Sequence, residues 1–243
     1  MGKMEVESKT YLAKTSASSS ARAGESFVIS TGYLRYFIWA QIIIVFVLLE
    51  LAIWAPTRTT RNRWAVIAAI TILVFSLINV LMHQTSLKRL GLGLPKLRGA
   101  IVVLGIGFAT AFFLLILVKW MGGDIPASPT WWPNLQSTWG YAIWALLQEF
   151  ILQSFFFNRC EELYGSSAAV WIAATLFAAV HLPSPVLTTA TLIGALFFCE
   201  MFRHYRSIYP LAIVHAMLGV TIALTVPDSL LHHMRVGIGY LRY

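Results

Sequence analysis

Three short stretches carry the residues best suited to chemistry: QEFILQS (148–154), FAAVH (177–181) and HAMLG (215–219). Each is set in apolar surroundings, the first inside WGYAIWALLQEFILQSFFF (139–157). Glu149 is the one ionisable residue of that segment, and His181 and His215 stand alone in theirs. Ionisable groups inside apolar helices are expensive and usually face a cavity or another helix. A carboxylate and an imidazole can deprotonate a water held between them, and a second imidazole can donate to a developing oxyanion. The same Glu149, His181 and His215 also suit zinc as a His₂Glu set with an open position. Spacing alone does not separate the two chemistries.

The immediate neighbours refine this picture. Gln153 lies one helical turn after Glu149 and points the same way. Gln148 projects about 100° away, onto a neighbouring face. Phe177 precedes His181 by one turn on the same face, and Gly219 follows His215 by one turn. Gly219 therefore leaves room beside His215 without supplying a donor. Glu50 and Glu200 fall near predicted helix ends and read as interfacial or helix-pairing carboxylates. His232 and His233 read as interfacial.

The elements that must hold these residues are membrane helices. The 243 residues are 58% hydrophobic and 12% charged, with mean hydropathy +0.72. Soluble domains are about 45–50% apolar and about 25% charged. The surplus apolar surface therefore faces lipid, and a soluble helical core fails for want of charged stripes. A spanning helix needs about 20 mostly apolar residues. The segments 36–54, 64–82, 100–121, 139–157, 168–181, 186–202 and 209–226 predict an all-α, polytopic bundle of about seven transmembrane helices. Pro183 and Pro185 interrupt the run after His181, and broken helices at depth normally line protein or a water-filled cavity.

Residues 1–33 are polar and read as a flexible cytosolic tail, with no signal-peptide core after the early lysines. Residues 34–243 form the membrane-embedded domain. Lys and Arg gather at the tail, over 88–98 and at Arg159, Arg203 and Arg206, which predicts a cytoplasmic N-terminus in a plasma (inner) membrane. Arg58, Arg61 and Arg63 run against that bias. The net charge of +8 belongs to membrane loops rather than to nucleic-acid binding. The basic connection HQTSLKRLGLGLPKLR (83–98) suits anionic headgroups or a plain positive-inside loop, and Trp131 and Trp132 suit an interfacial anchor. Cys160 and Cys199 form no metal-type spacing. The chain lacks a phosphate loop, a Cys/His finger, HExxH and GxSxG.

In order and spacing, QEFILQS, FAAVH and HAMLG resemble the EExxxRG, FxxxH and HxxxN motifs of the CPBP family. These are the CAAX-processing and bacteriocin-processing (Abi-type) intramembrane endopeptidases. With SLKRLGLGLPKLRG (86–99), the resemblance covers a core of about 86–226. It implies water activation by the motif glutamates and His181, with His215 in an oxyanion site and no metal cofactor, zinc remaining the alternative. The chain departs from the pattern at Gln148, Gln153, Ser154 and Gly219. Gln148 stands where the first glutamate is usual, and an amide is no base. Two functions follow. One is an intramembrane endopeptidase acting on a peptide or membrane-protein substrate with Glu149 as base. The other is a non-proteolytic protein of the same fold that binds or transforms a lipidic or isoprenoid ligand, or scaffolds a membrane partner.

Overall fold

The computed structural model describes residues 33–83, 86–126 and 135–242. The tail expected over 1–33, apart from Tyr33, and the Trp131–Trp132 anchor lie outside them. All seven apolar segments are helical, and no strand occurs among the described residues. The helices are α1 (Tyr33–Ile53), α2 (Arg58–His83), α3 (Leu97–Trp120) and α4 (Leu135–Glu149). After α4 the chain continues as a π-helix over Phe150–Phe157. Then come α5 (Asn158–Tyr164), α6 (Ser166–Ala179), α7 (Pro185–Tyr205) and α8 (Tyr209–Thr225). Short turns α9 (Asp228–Leu231) and α10 (Ile238–Leu241) close the described chain.

The protein is a polytopic helical membrane protein. Among the described residues four helices, α1, α2, α3 and α7, are long and apolar enough to cross a bilayer. α6 and α8 are apolar but shorter, so the expected count of about seven spans is not reached by length. Helices are the fitting element because each satisfies its own backbone polar groups where water is absent. α3 turns Ile101, Phe108, Phe112, Phe113 and Ile116 outward, a surface that only lipid would cover.

Local chemistry sets the element boundaries. Pro56 follows α1, and Thr57 and Thr60 open α2 by exchanging bonds, each hydroxyl accepting from the other's N–H at 3.2 and 3.1 Å. Ser184 caps α7 through Leu187 N–H at 3.4 Å, with Pro185 in the first turn, where no donor is missed.

The chain divides after Gln41, and the unit Ile42–Tyr243 carries the candidate site. Within it α3 lies against α8. A Cβ at Gly107 would sit 2.5 Å from a methyl of Val214 on α8, so only glycine permits that approach.

The π-helix is a second organising feature. Ser154 Oγ donates to Leu90 O at 2.5 Å, and Asn158 Nδ2 donates to Arg89 O at 3.1 Å. From the α7–α8 turn, Ile208 N–H donates to Gly91 O at 3.0 Å and Ser207 Oγ to Gly93 O at 3.2 Å. The basic connection is thereby fixed over 89–93, while Leu87, Leu94 and Leu97 stay exposed. Buried Arg159 donates to Asn79 Oδ1 at 2.9 Å and to Glu162 Oε1 at 2.7 Å. Burial lowers the Arg159 pKa from its ordinary value, and the Glu162 charge opposes that shift.

Candidate active site

Glu149 is the last residue of α4, immediately before the π-helix. Its side chain is fully buried. One carboxylate oxygen, Oε1, lies 2.8 Å from His215 Nδ1 on α8. The other, Oε2, accepts from Gln153 Nε2 at 3.2 Å. So the expected pairing of Glu149 with Gln153 is present, and one of the two expected histidines completes it. A buried carboxylate that keeps hydrogen bonds to both oxygens avoids most of the cost of an isolated charge.

His181 reaches the site from the turn after α6. Its Nδ1 lies 2.9 Å from Phe177 O. A carbonyl oxygen can only accept, so Nδ1 carries the proton and Nε2 holds the lone pair in the neutral ring. His215 turns the same ring nitrogen, Nδ1, to the Glu149 carboxyl. Both imidazoles are held on one side by aromatic rings. Phe177 sits 5.3 Å from the His181 ring centre, and Phe198 stacks on His215 at 5.4 Å and 16°.

A cavity of about 700 Å³ opens over these groups. His181, His215, Gln148, Phe177, Phe198 and Tyr141 line it, together with aliphatic residues of α1, α2, α3 and α7. Glu149 does not line it. Gln148, Phe150 and Ile151 face the cavity from this motif, and Glu149 stands behind His215. The reason is the 100° step between consecutive helical residues, which turns Gln148 and Glu149 onto different faces.

Gly219 differs from the expectation in another way. A Cβ there would collide with the hydroxyl and ring of Tyr141. The space beside His215 is filled by a phenol from α4, which is itself a donor. Tyr141 is faintly marked in the sequence. Its signal was a polar atom in the apolar run of α4, two turns before Glu149.

The remaining candidates lie elsewhere. Glu50, near the end of α1, accepts from Trp54 Nε1 just after it at 2.9 Å. Glu200 pairs with Arg203 at 2.5 Å and His204 at 3.0 Å within α7. His233 meets Asp228 at 2.9 Å, and His232 stacks on Tyr240 at 4.1 Å. Glu149, His181 and His215 do not form a three-donor metal set, because the carboxylate oxygens are turned to Gln153 and to the Nδ1 side of His215. Among the described residues no group of three His, Cys, Asp or Glu is placed to hold a metal.

Residues 130–221 match the family model of the type II CAAX prenyl endopeptidases, Rce1-like. Over this stretch the chain is similar to that family. The match contains all three motifs, so the resemblance to CPBP endopeptidases is borne out there. It begins at residue 130, inside the core expected over 86–226. No curated protein and no solved structure matches the chain.

Proposed function

We propose that the protein is a membrane-embedded endopeptidase that hydrolyses a peptide bond of a membrane-associated substrate. The 2.8 Å contact between Glu149 Oε1 and His215 Nδ1 carries this reading. A carboxylate that fixes an imidazole tautomer and stabilises its protonated form turns the opposite ring nitrogen into a general base. The roles expected from the sequence thus change places. His215 is the base, and Glu149 is a positioning residue that acts through it. His181, with Nδ1 bound to Phe177 O, presents a second acceptor to the same water.

In the step we propose, a water in the cavity gives a proton to His215 Nε2, and its oxygen attacks the substrate carbonyl carbon. The carbonyl π pair moves onto oxygen. Collapse re-forms the C=O bond and breaks C–N, and the His215 proton passes to the leaving amine. The products are a carboxylic acid and an amine, and no redox partner or covalent enzyme intermediate enters. The apolar cavity walls suit a substrate with a hydrophobic body, in keeping with the prenyl endopeptidase family that residues 130–221 match. No metal enters this step.

The test is cleavage of lipidated and plain peptides by purified protein in detergent. Glu149→Ala and His181→Ala each abolish turnover while the variants keep the wild-type melting profile, and wild-type turnover survives a strong chelator. Full cleavage by Glu149→Ala contradicts the proposal. One observation favours a second reading, a non-proteolytic binder of a lipidic ligand: the polar motif residue that lines the cavity is the amide of Gln148, beside Phe150 and Ile151. Retained binding of a hydrophobic ligand with no cleavage of any peptide would select it.

A further inference from the structure

α2 and α3 are both long and apolar enough to cross a bilayer, so the connection between them lies where hydrocarbon gives way to headgroups. Its inner side is already occupied. Ser154 and Asn158 donate to Leu90 O and Arg89 O, and Ser207 and Ile208, in the turn before α8, donate to Gly93 O and Gly91 O. A Cβ on Gly91 would collide with the Phe202 ring of α7, so the connection is pressed onto that helix as well. Backbone bonds from Arg89, Leu90, Gly91 and Leu92 N–H back to residues 86–88 fix its shape from within.

The outer side carries two kinds of residue. Leu87, Leu94 and Leu97 are 61%, 93% and 75% exposed. Lys88, Lys96 and Arg98 are exposed beside them in the chain. Residues 86–98 contain no acid, and the acids on the elements around them are already paired. Glu161 meets Arg206, Glu162 meets Arg159 and Arg89, and Glu200 meets Arg203 and His204. Among the described residues, Lys88, Lys96 and Arg98 enter no ion pair. Water solvates such cations well and such leucines badly. A headgroup layer does both, because it sets anionic phosphates over acyl chains.

We propose that this face of the 86–98 connection docks anionic phospholipid of the surrounding bilayer, with phosphates on Lys88, Lys96 and Arg98 and acyl chains against Leu87, Leu94 and Leu97. The docking site has a route inward. The same backbone is bonded to the π-helix that begins after Glu149 and to the turn that opens α8, which carries His215. Lipid that steadies 86–98 therefore steadies both halves of the Glu149–His215 contact. The docking goes beyond the proposed hydrolysis, and its effect on turnover rests on that reading.

The experiment is native mass spectrometry of the full chain in detergent, titrated with phosphatidylglycerol or phosphatidylcholine. Wild type is compared with Lys88→Gln/Lys96→Gln/Arg98→Gln and with Leu94→Asn, with melting curves for each. A Lys or Arg near the surface is worth about fivefold in affinity for anionic lipid, so three give about 100-fold. Wild type is expected to prefer phosphatidylglycerol by about that factor, and the triple variant to bind both lipids alike. Leu94→Asn is expected to weaken both lipids equally. If the triple variant melts early, Lys96→Gln alone reads the same effect at about fivefold. Equal binding of the two lipids by wild type, or wild-type affinity for phosphatidylglycerol in the folded charge variants, overturns the proposal. So does displacement of the lipid by soluble glycerol phosphate, which would mark a site for free anions. In bilayers, peptide cleavage by wild type is expected to rise with phosphatidylglycerol, and cleavage by the triple variant not to respond. A wild-type rate indifferent to bound phosphatidylglycerol overturns the coupling to Glu149 and His215. A wild-type protein that cleaves no peptide overturns the hydrolase reading and leaves the docking standing.

Discussion

Glu149 and Gln148 are adjacent in the chain and differ in everything that matters for chemistry. Glu149 is walled off, with its oxygens shared between His215 and Gln153. Gln148 faces the cavity but has no proton to take up at ordinary pH. Replacing Glu149 by Gln keeps the shape and removes the charge that stabilises protonated His215. We expect kcat to fall by about 10²- to 10⁴-fold, the usual worth of a positioned proton acceptor. Gln148→Ala removes a wall amide only, and kcat is expected to fall less than tenfold. Steady-state kinetics on the two variants assign the chemistry to one of the neighbours, and the reverse order would place it on Gln148. This difference was partly legible. The sequence marks Glu149 as a buried carboxylate, and a helical projection separates it from Gln148. Which of the two faces the cavity depends on where α8 lies, and that is long-range packing.

The helices show the same division between local and distant information. Hydropathy alone outlines all seven apolar segments, and the observed helices begin and end within a few residues of the prediction. The π-helix over Phe150–Phe157 was not legible. FILQSFFF holds no proline or glycine to mark it, and the bonds of its Ser154 to Leu90 and of the following Asn158 to Arg89 join residues more than sixty positions apart. π-turns inside helices are often found at functional sites, and this one starts at the residue after Glu149. The seat of Tyr141 was invisible for a similar reason, since Gly219 reads as empty space until α4 is laid against α8. The α3–α8 contact is testable by stability. Gly107→Ala would press a methyl onto the branched side chain of Val214. Such overpacking costs about 1–3 kcal/mol, which should appear as a lower Tm in detergent. An unchanged Tm would mean that α3 and α8 do not pack as described.

For the molecule as a whole, the proposed hydrolysis requires water to reach a peptide bond in an apolar setting. The 58% hydrophobic chain encloses a cavity of about 700 Å³ whose polar groups are concentrated at His181, His215, Gln148 and Tyr141. Class and membrane residence followed from composition, and the family resemblance from three short motifs. The site's internal order did not follow from either, because Glu149 meets His215 across 66 residues of chain. The account stands on that contact directing a water molecule at a peptide carbonyl. The most direct measurement is cleavage of a membrane-anchored peptide by reconstituted protein in H₂¹⁸O, with the new carboxyl terminus weighed by mass spectrometry. We expect one ¹⁸O atom in the wild-type product, and labelled product formed about 10²- to 10⁴-fold more slowly by Glu149→Gln. Labelled product formed at the wild-type rate by Glu149→Gln, or no cleavage by the wild-type protein, would contradict the account.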